Sequence, residues 1–178
     1  REMERFLPGP GPLVERLQAY RDRFIVPKET AQAVLAAVLP ELRRRTRDLV
    51  DLPADEEVEL CLVQNQPWSA YNWYRGSGRS LIEFNTDLPL RAQWLLETLA
   101  HEAYPGHHTE GTLKEQILYR ERGYAEAAIA PLNVPACVLS EGIGDYGIRA
   151  LFSDEERIAW KNEVLYPLAG LAPVPAEE

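Results

Sequence analysis

Apolar residues recur at three-and-four spacing over much of this chain, and the breaks in that rhythm mark where helix gives way to other structure. After Pro27, the residues Ala31, Val34, Leu35, Val38, Leu39 and Leu42 repeat as one face of an amphipathic helix. Pro27 suits a helix start. Pro40 lies inside the pattern and predicts a kink or break near Val38 and Leu39, because proline has no amide hydrogen to donate. Upstream, Leu13 to Phe24 predicts a short helix. Residues 1 to 7 read as the tail of another, ended by Pro8-Gly9-Pro10-Gly11-Pro12.

The rhythm changes in the middle of the chain. Val58 to Val63 alternates loosely and predicts a strand, as does Ser80 to Asn85. Asn65-Gln66-Pro67 and Arg75-Gly76-Ser77-Gly78 carry turn chemistry, and the aromatic segment Trp68 to Tyr74 lies between them. A small antiparallel β-sheet or hairpin is the expected assembly.

From Pro89 the helical period returns, with Leu90, Trp94, Leu95, Thr98 and Leu99 on one stripe and Asp87 as the expected cap. Further helices are expected over Thr112 to Arg122, Ala136 to Phe152 and Asp154 to Leu165. Ser153 and Glu156 have capping-box spacing. The tail from Ala172 to Ala176 reads as frayed. The expected fold class is therefore mainly α, of the α+β type, with the small sheet ahead of the helix that begins after Pro89. The 178 residues suit a single domain.

Charge narrows the range of partners. The chain carries 28 acidic against 19 basic residues, a net charge of −9. This disfavours nucleic acid, whose binding needs clustered cations. The one basic cluster, Arg43-Arg44-Arg45-Thr46-Arg47, reads as a solvated helix face. Cys61 and Cys137 sit among apolar neighbours and belong to no metal-ligand pattern, so free, buried thiols are expected. No apolar run approaches membrane-span length and no secretory leader is visible at Arg1. A cytoplasmic location without membrane partners is the expectation.

Composition says little about chemistry, but the histidines say more. All three fall in the eight residues His101-Glu102-Ala103-Tyr104-Pro105-Gly106-His107-His108. In zinc peptidases with a HExxH helix, two histidines one turn apart face the metal and the glutamate beside the first acts as general base. Here Pro105 stands where the second histidine would be. On an unbroken helix His101 and His107 would differ by roughly 120° in azimuth and about 9 Å in rise, too far to share an ion. Pro105 cannot donate to the His101 carbonyl, and Gly106 can take a left-handed conformation. Together they can end or bulge the helix, letting His107 fold back beside His101. His108 is the alternative ligand, or a donor to a substrate oxygen; His107 is preferred.

A catalytic zinc keeps three protein ligands and one open position. The best third ligand is Glu141, in Leu139-Ser140-Glu141-Gly142-Ile143-Gly144-Asp145-Tyr146-Gly147. Two glycines of this segment allow close approach to a neighbouring helix. Asp145 is a rival ligand or the group that orients a histidine. An acidic charge near the helix start is the non-metal explanation of Glu141.

HEAYPGHH, together with NQPWSAYNWY, RSLIEFNTDLP and SEGIGDYG, resembles the bacterial family called domain of unknown function 885, over about Phe24 to Tyr166. The resemblance implies a mainly helical, zincin-like, metal-dependent peptidase or carboxypeptidase. It implies His101 and His107 as metal ligands, Glu102 as the catalytic glutamate and Glu141 as the downstream ligand. Members are usually longer, so a fragment of a longer metallopeptidase-like protein is expected.

On this reading Zn²⁺ is the cofactor and a peptide or small amide the substrate. Glu102 takes a proton from water and passes it to the leaving amine. His108, Tyr104 and Tyr146 are the candidate donors to the oxyanion, with His108 and Tyr146 the leading pair. A metal-binding helical domain without turnover is the alternative, and a non-peptide metal hydrolase would use the same ligands. The strand Ser80 to Asn85 could offer an edge to an extended peptide. Trp68, Tyr71, Trp73 and Tyr74 could wall a pocket, although core packing is the preferred reading. Arg79 or Arg149 could clamp a carboxylate, although a surface ion pair is preferred.

Overall fold

A computed structural model describes residues 6, 7 and 9–174. Residues 1–5, Pro8 and 175–178, which include most of the expected N-terminal helix tail and the end of the expected frayed tail, lie outside the described residues. Among the described residues the longer helices are α1 (Leu13–Asp22), α2 (Lys28–Arg47), α3 (Ala92–Glu102), α4 (His107–Leu113), α5 (Pro135–Leu151) and α6 (Asp154–Trp160), with short helical turns at Ala125–Ala128 and Tyr166–Leu168. The helices α4 and α6 continue as π-helical turns over Lys114–Glu121 and Lys161–Leu165. Three strands, β1 (Glu57–Val63), β2 (Ala70–Gly76) and β3 (Arg79–Asn85), complete a mainly α fold with one small sheet.

The amphipathic face read from the sequence is the one that packs. Ala31, Val34, Leu35, Val38 and Leu42 of α2 are buried in one core with Leu96 and Leu99 of α3 and Ile82 and Phe84 of β3. The helix α2 runs through Pro40 without the expected break. Proline costs roughly 3 kcal/mol inside a helix. The buried side chains of Val38 and Leu42, in the turns on either side, offset that penalty and hold the helix together. Helix α6 starts on the expected capping box: Ser153 Oγ accepts from the Glu156 amide at 3.1 Å, and Glu156 Oε2 accepts from the Ser153 amide at 2.9 Å. Among the described residues no helix is long and apolar enough to cross a membrane.

The sheet is mixed, not wholly antiparallel. Its order is β1-β3-β2. The aromatic segment is itself a strand and forms the hairpin with β3, pairing Ala70 with Phe84 and Tyr74 with Ser80. That leaves the far side of β3 to β1, which pairs in parallel from Glu57 with Arg79 to Val63 with Asn85. The connection from β1 to β2 must therefore cross the end of β3. Asn85 secures it there, its Nδ2 donating to the carbonyls of Gln66 at 2.9 Å and Trp68 at 3.0 Å. Because β3 is flanked on both sides, it has no free edge for a peptide.

Three smaller expectations also change. Asp87 does not cap α3, whose N-cap is Arg91; it accepts from the Asn65 amide at 2.6 Å. The cysteines are free, but both are half-buried rather than buried. The described part of the tail is pinned, Val174 exchanging two 2.8 Å hydrogen bonds with Asn162.

The basic cluster is more than a solvated face. Arg43 Nε and Arg47 Nη2 donate to Glu56 Oε1 at 2.7 and 2.8 Å, while Arg45 Nη1 donates to the Leu151 carbonyl at 2.7 Å. Glu56 has a side chain of 0% exposure, and its other oxygen accepts from the Tyr104 hydroxyl and from His108 Nε2 at 3.0 Å. One buried carboxylate thus takes four donors, about as many as its two oxygens can accept. Burial alone would raise its pKa; His108, Tyr104, Arg47 and Arg43 outweigh that and hold it down at about 2.

A carboxyl held below its ordinary 4.5 stabilises the fold fully above that pH and loses its contribution as pH falls toward 2. Glu56→Gln should lower unfolding stability near neutral pH by about 2–3 kcal/mol, a figure below the usual range for breaking a buried pair because both arginines can return to solvent. It should also flatten the acid limb of the stability curve, both read by denaturant titration across pH. Equal stability of variant and parent at pH 7 would contradict the role given to this group.

Candidate metal centre

Helix α3 stops after Glu102, and within four residues the chain has turned back into α4. Ala103, at φ −105° and ψ −93°, leaves the helical region, and its amide donates to the Leu99 carbonyl at 2.8 Å. The Gly106 amide donates to the Ala100 carbonyl at 3.0 Å, so the reversal satisfies the helix end it creates. Asn72 of β2 contributes from the side, its Nδ2 donating to the Glu102 carbonyl at 2.6 Å. Gly106 is needed for a reason other than the expected one. Its φ is −74°, outside the left-handed region, but a Cβ there would stand 1.8 Å from the His101 carbonyl oxygen.

The reversal brings the two imidazoles together. The rings of His101 and His107 lie 4.6 Å apart at 87°. Their Nε2 atoms face Glu141 on α5, at 3.3 Å from Oε2 for His101 and 3.6 Å from Oε1 for His107. One ligand atom from each of the three residues lies within 4.8 Å of the others, a group that can hold a metal ion. Zinc bonds of about 2.0–2.1 Å in a tetrahedron separate neighbouring ligand atoms by roughly 3.3 Å, close to the 3.3 and 3.6 Å between the imidazoles and the Glu141 carboxylate.

Each imidazole is also held from behind. His101 Nδ1 is 3.0 Å from Asp145 Oδ1, one helical turn beyond Glu141. His107 Nδ1 lies 3.4 Å from Ser140 Oγ and 3.8 Å from Glu110 Oε2. Asp145 is thus the orienting group among the two roles weighed for it.

Two glycines admit α5 to this close range. A Cβ on Gly144 would meet the His101 ring at 2.6 Å, and one on Gly147 would meet Pro105 at 2.7 Å. Gly142 faces open space. Glu141 falls in the second turn of α5, past the first-turn amides that an acidic charge at a helix start would serve.

Glu102 is buried beside the pair. Burial is the main cause that raises its carboxyl pKa, the Glu141 charge adds to it, and His101 and His107 oppose it. For His107, burial disfavours the charged form, but Glu110, Glu102 and Glu141 prevail and raise its pKa.

The other residues singled out in the sequence lie elsewhere. His108 is fully buried, with Nε2 on Glu56 and Nδ1 on Ser80 Oγ at 2.9 Å; it is neither a ligand nor a donor at this site. Tyr104 is equally committed to Glu56. Tyr146 is 65% exposed and lies roughly 140° around α5 from Glu141, with Arg149 over its ring at 5.2 Å.

Tyr71 and Trp73 alternate with Asn72 and Tyr74, whose side chains reach Glu102 and Glu115 on the helices. They therefore occupy the opposite sheet face, clustered with Trp68, and wall no pocket at the metal centre. Arg79 lines a polar groove with Asp55, Glu57, Glu59 and Arg75 at the β2–β3 turn.

No family model, curated protein or solved structure matches this chain.

Gly144→Ala would ordinarily steady a helix by about 1 kcal/mol. Here it should displace His101 and weaken Zn²⁺ binding at least about tenfold, by chelator competition, and the added methyl against the ring should lower the metal-free melting temperature where a free helix would gain. Unchanged affinity would mean that the His101 ring does not rest on α5.

Proposed function

We propose that this chain is a zinc-dependent hydrolase of peptide or other amide bonds, of the kind its HEAYPGHH string resembles. The observation that carries the reading is the approach of both Nε2 atoms to the two oxygens of Glu141, with a buried glutamate next in sequence to the first histidine. His101, His107 and Glu141 are the ligand set, and two imidazoles with one carboxylate suit zinc. Bound zinc would supply a water of lowered pKa and a Lewis acid for the amide carbonyl.

The remaining work falls to Glu102. Its raised pKa, set mainly by burial, keeps its carboxyl closer to neutral pH than an exposed one, which suits a group that accepts a proton from water and returns it to the leaving amine. Asp145 holds the His101 ring by its Nδ1, which leaves Nε2 free to face the ion. A protein donor to the oxyanion is not among the three weighed in the sequence, since His108 and Tyr104 serve Glu56 and Tyr146 points elsewhere.

The 61% exposure of the Glu141 side chain favours a second reading, a helical domain that holds metal without turnover. One experiment separates the two. Purified protein should carry about one zinc per chain by elemental analysis and cleave members of a peptide and acyl-anilide panel. His101→Ala should lose the zinc. Glu102→Gln should keep it and lose hydrolysis by about 10²–10⁴-fold. Zinc without cleavage in the parent supports the second reading, and cleavage that survives in Glu102→Gln removes Glu102 as the base.

A further inference from the structure

His101 has an evident orienting partner in Asp145, whereas the arrangement behind His107 is less direct. Glu110 lies one turn along α4 from His107, and Ser140 precedes Glu141 on α5. Ser140 Oγ is hydrogen-bonded to Glu110 Oε2 and stands 3.4 Å from His107 Nδ1. The other oxygen of Glu110, Oε1, is held by Lys114 Nζ.

A carboxylate in such company has no proton to give, so the Ser140 hydroxyl must donate to Glu110. That leaves the lone pairs of Oγ turned toward Nδ1, which donates to them. In the neutral imidazole, the form that binds a metal, a proton on Nδ1 leaves Nε2, the atom that faces Glu141, with its lone pair free. We infer that Ser140 and Glu110 form a relay that positions His107 for a divalent metal ion, fixing its tautomer and ring angle through the serine hydroxyl and tying α4 to α5 beside Glu141. The inference rests on the metal centre proposed above. The relay was not legible in the sequence, since neither residue belongs to the HEAYPGHH string and they stand thirty positions apart.

Zn²⁺ affinity measured by chelator competition on the full chain tests it, together with proton NMR of the zinc-loaded protein. Ser140→Ala and Glu110→Gln should each weaken zinc about ten- to a hundredfold, the range seen when such orienting partners are removed. Because the two groups act in series, the double variant should lose no more than the worse single one. A slowly exchanging His107 Nδ1–H resonance should disappear in either variant while that of His101 stays. Ser140→Thr, which keeps the hydroxyl, should return to within about threefold of the parent.

Affinity within about twofold of the parent in Ser140→Ala, with the His107 resonance retained, would overturn the relay alone. Losses that add in the double variant and follow a drop in metal-free melting temperature would also overturn it, as they would mark a purely structural contact. Failure of the parent itself to take up zinc would remove the metal centre, and this is seen before any variant is compared.

Discussion

A buried carboxylate is tolerable only when its oxygens are fully matched, and the region around the histidines is built on one such match. Glu56 takes Arg43 and Arg47 from α2 on one oxygen and Tyr104 and His108 on the other. The last two bracket the Pro105-Gly106-His107 reversal, so satisfying Glu56 draws both ends of the turn into the core. With Tyr104 and His108 directed inward, His107 is left to face α5. The buried network is no part of the candidate metal centre; it decides which of two adjacent histidines reaches Glu141. Ser80 of β3 completes it by holding His108 Nδ1, which links the sheet to the same turn.

The second requirement is steric. Helices α3 and α5 meet where Gly144 lies on the His101 ring and Gly147 on Pro105, and Gly106 lies on the His101 carbonyl. Each contact is closer than a methyl group allows. Glycine weakens a helix interior by about 1 kcal/mol, so two of them inside α5 are a standing cost that close approach explains. The result is that Glu141 and Asp145, one turn apart, reach opposite nitrogens of the same imidazole.

Much of the fold was legible in the chain: amphipathic periodicity records which faces of α2 and α3 are buried, and the spacing of Ser153 and Glu156 marks the start of α6. His101, His107 and Glu141 were legible too, as residue types whose chemistry is narrow. What escaped was decided at long range. The parallel pairing of β1 with β3 depends on the aromatic segment being a strand and taking the hairpin across the Arg75-Gly76-Ser77-Gly78 turn; the turn was legible, but the strand was not. Pro40 violates a local rule that packing overrides. His108 looked like a donor because sequence proximity does not say which way a side chain faces. Glu56 gave no signal at all, since one of three consecutive acidic residues before a strand becomes notable only when four donors from two distant stretches of the chain converge on it.

The most direct test is to locate a metal on the protein. Crystals grown with Zn²⁺ and measured at the zinc absorption edge should show one anomalous peak about 2.0–2.1 Å from His101 Nε2, His107 Nε2 and a Glu141 oxygen. A peak held by other residues, or none at this position at saturating zinc, would contradict the account.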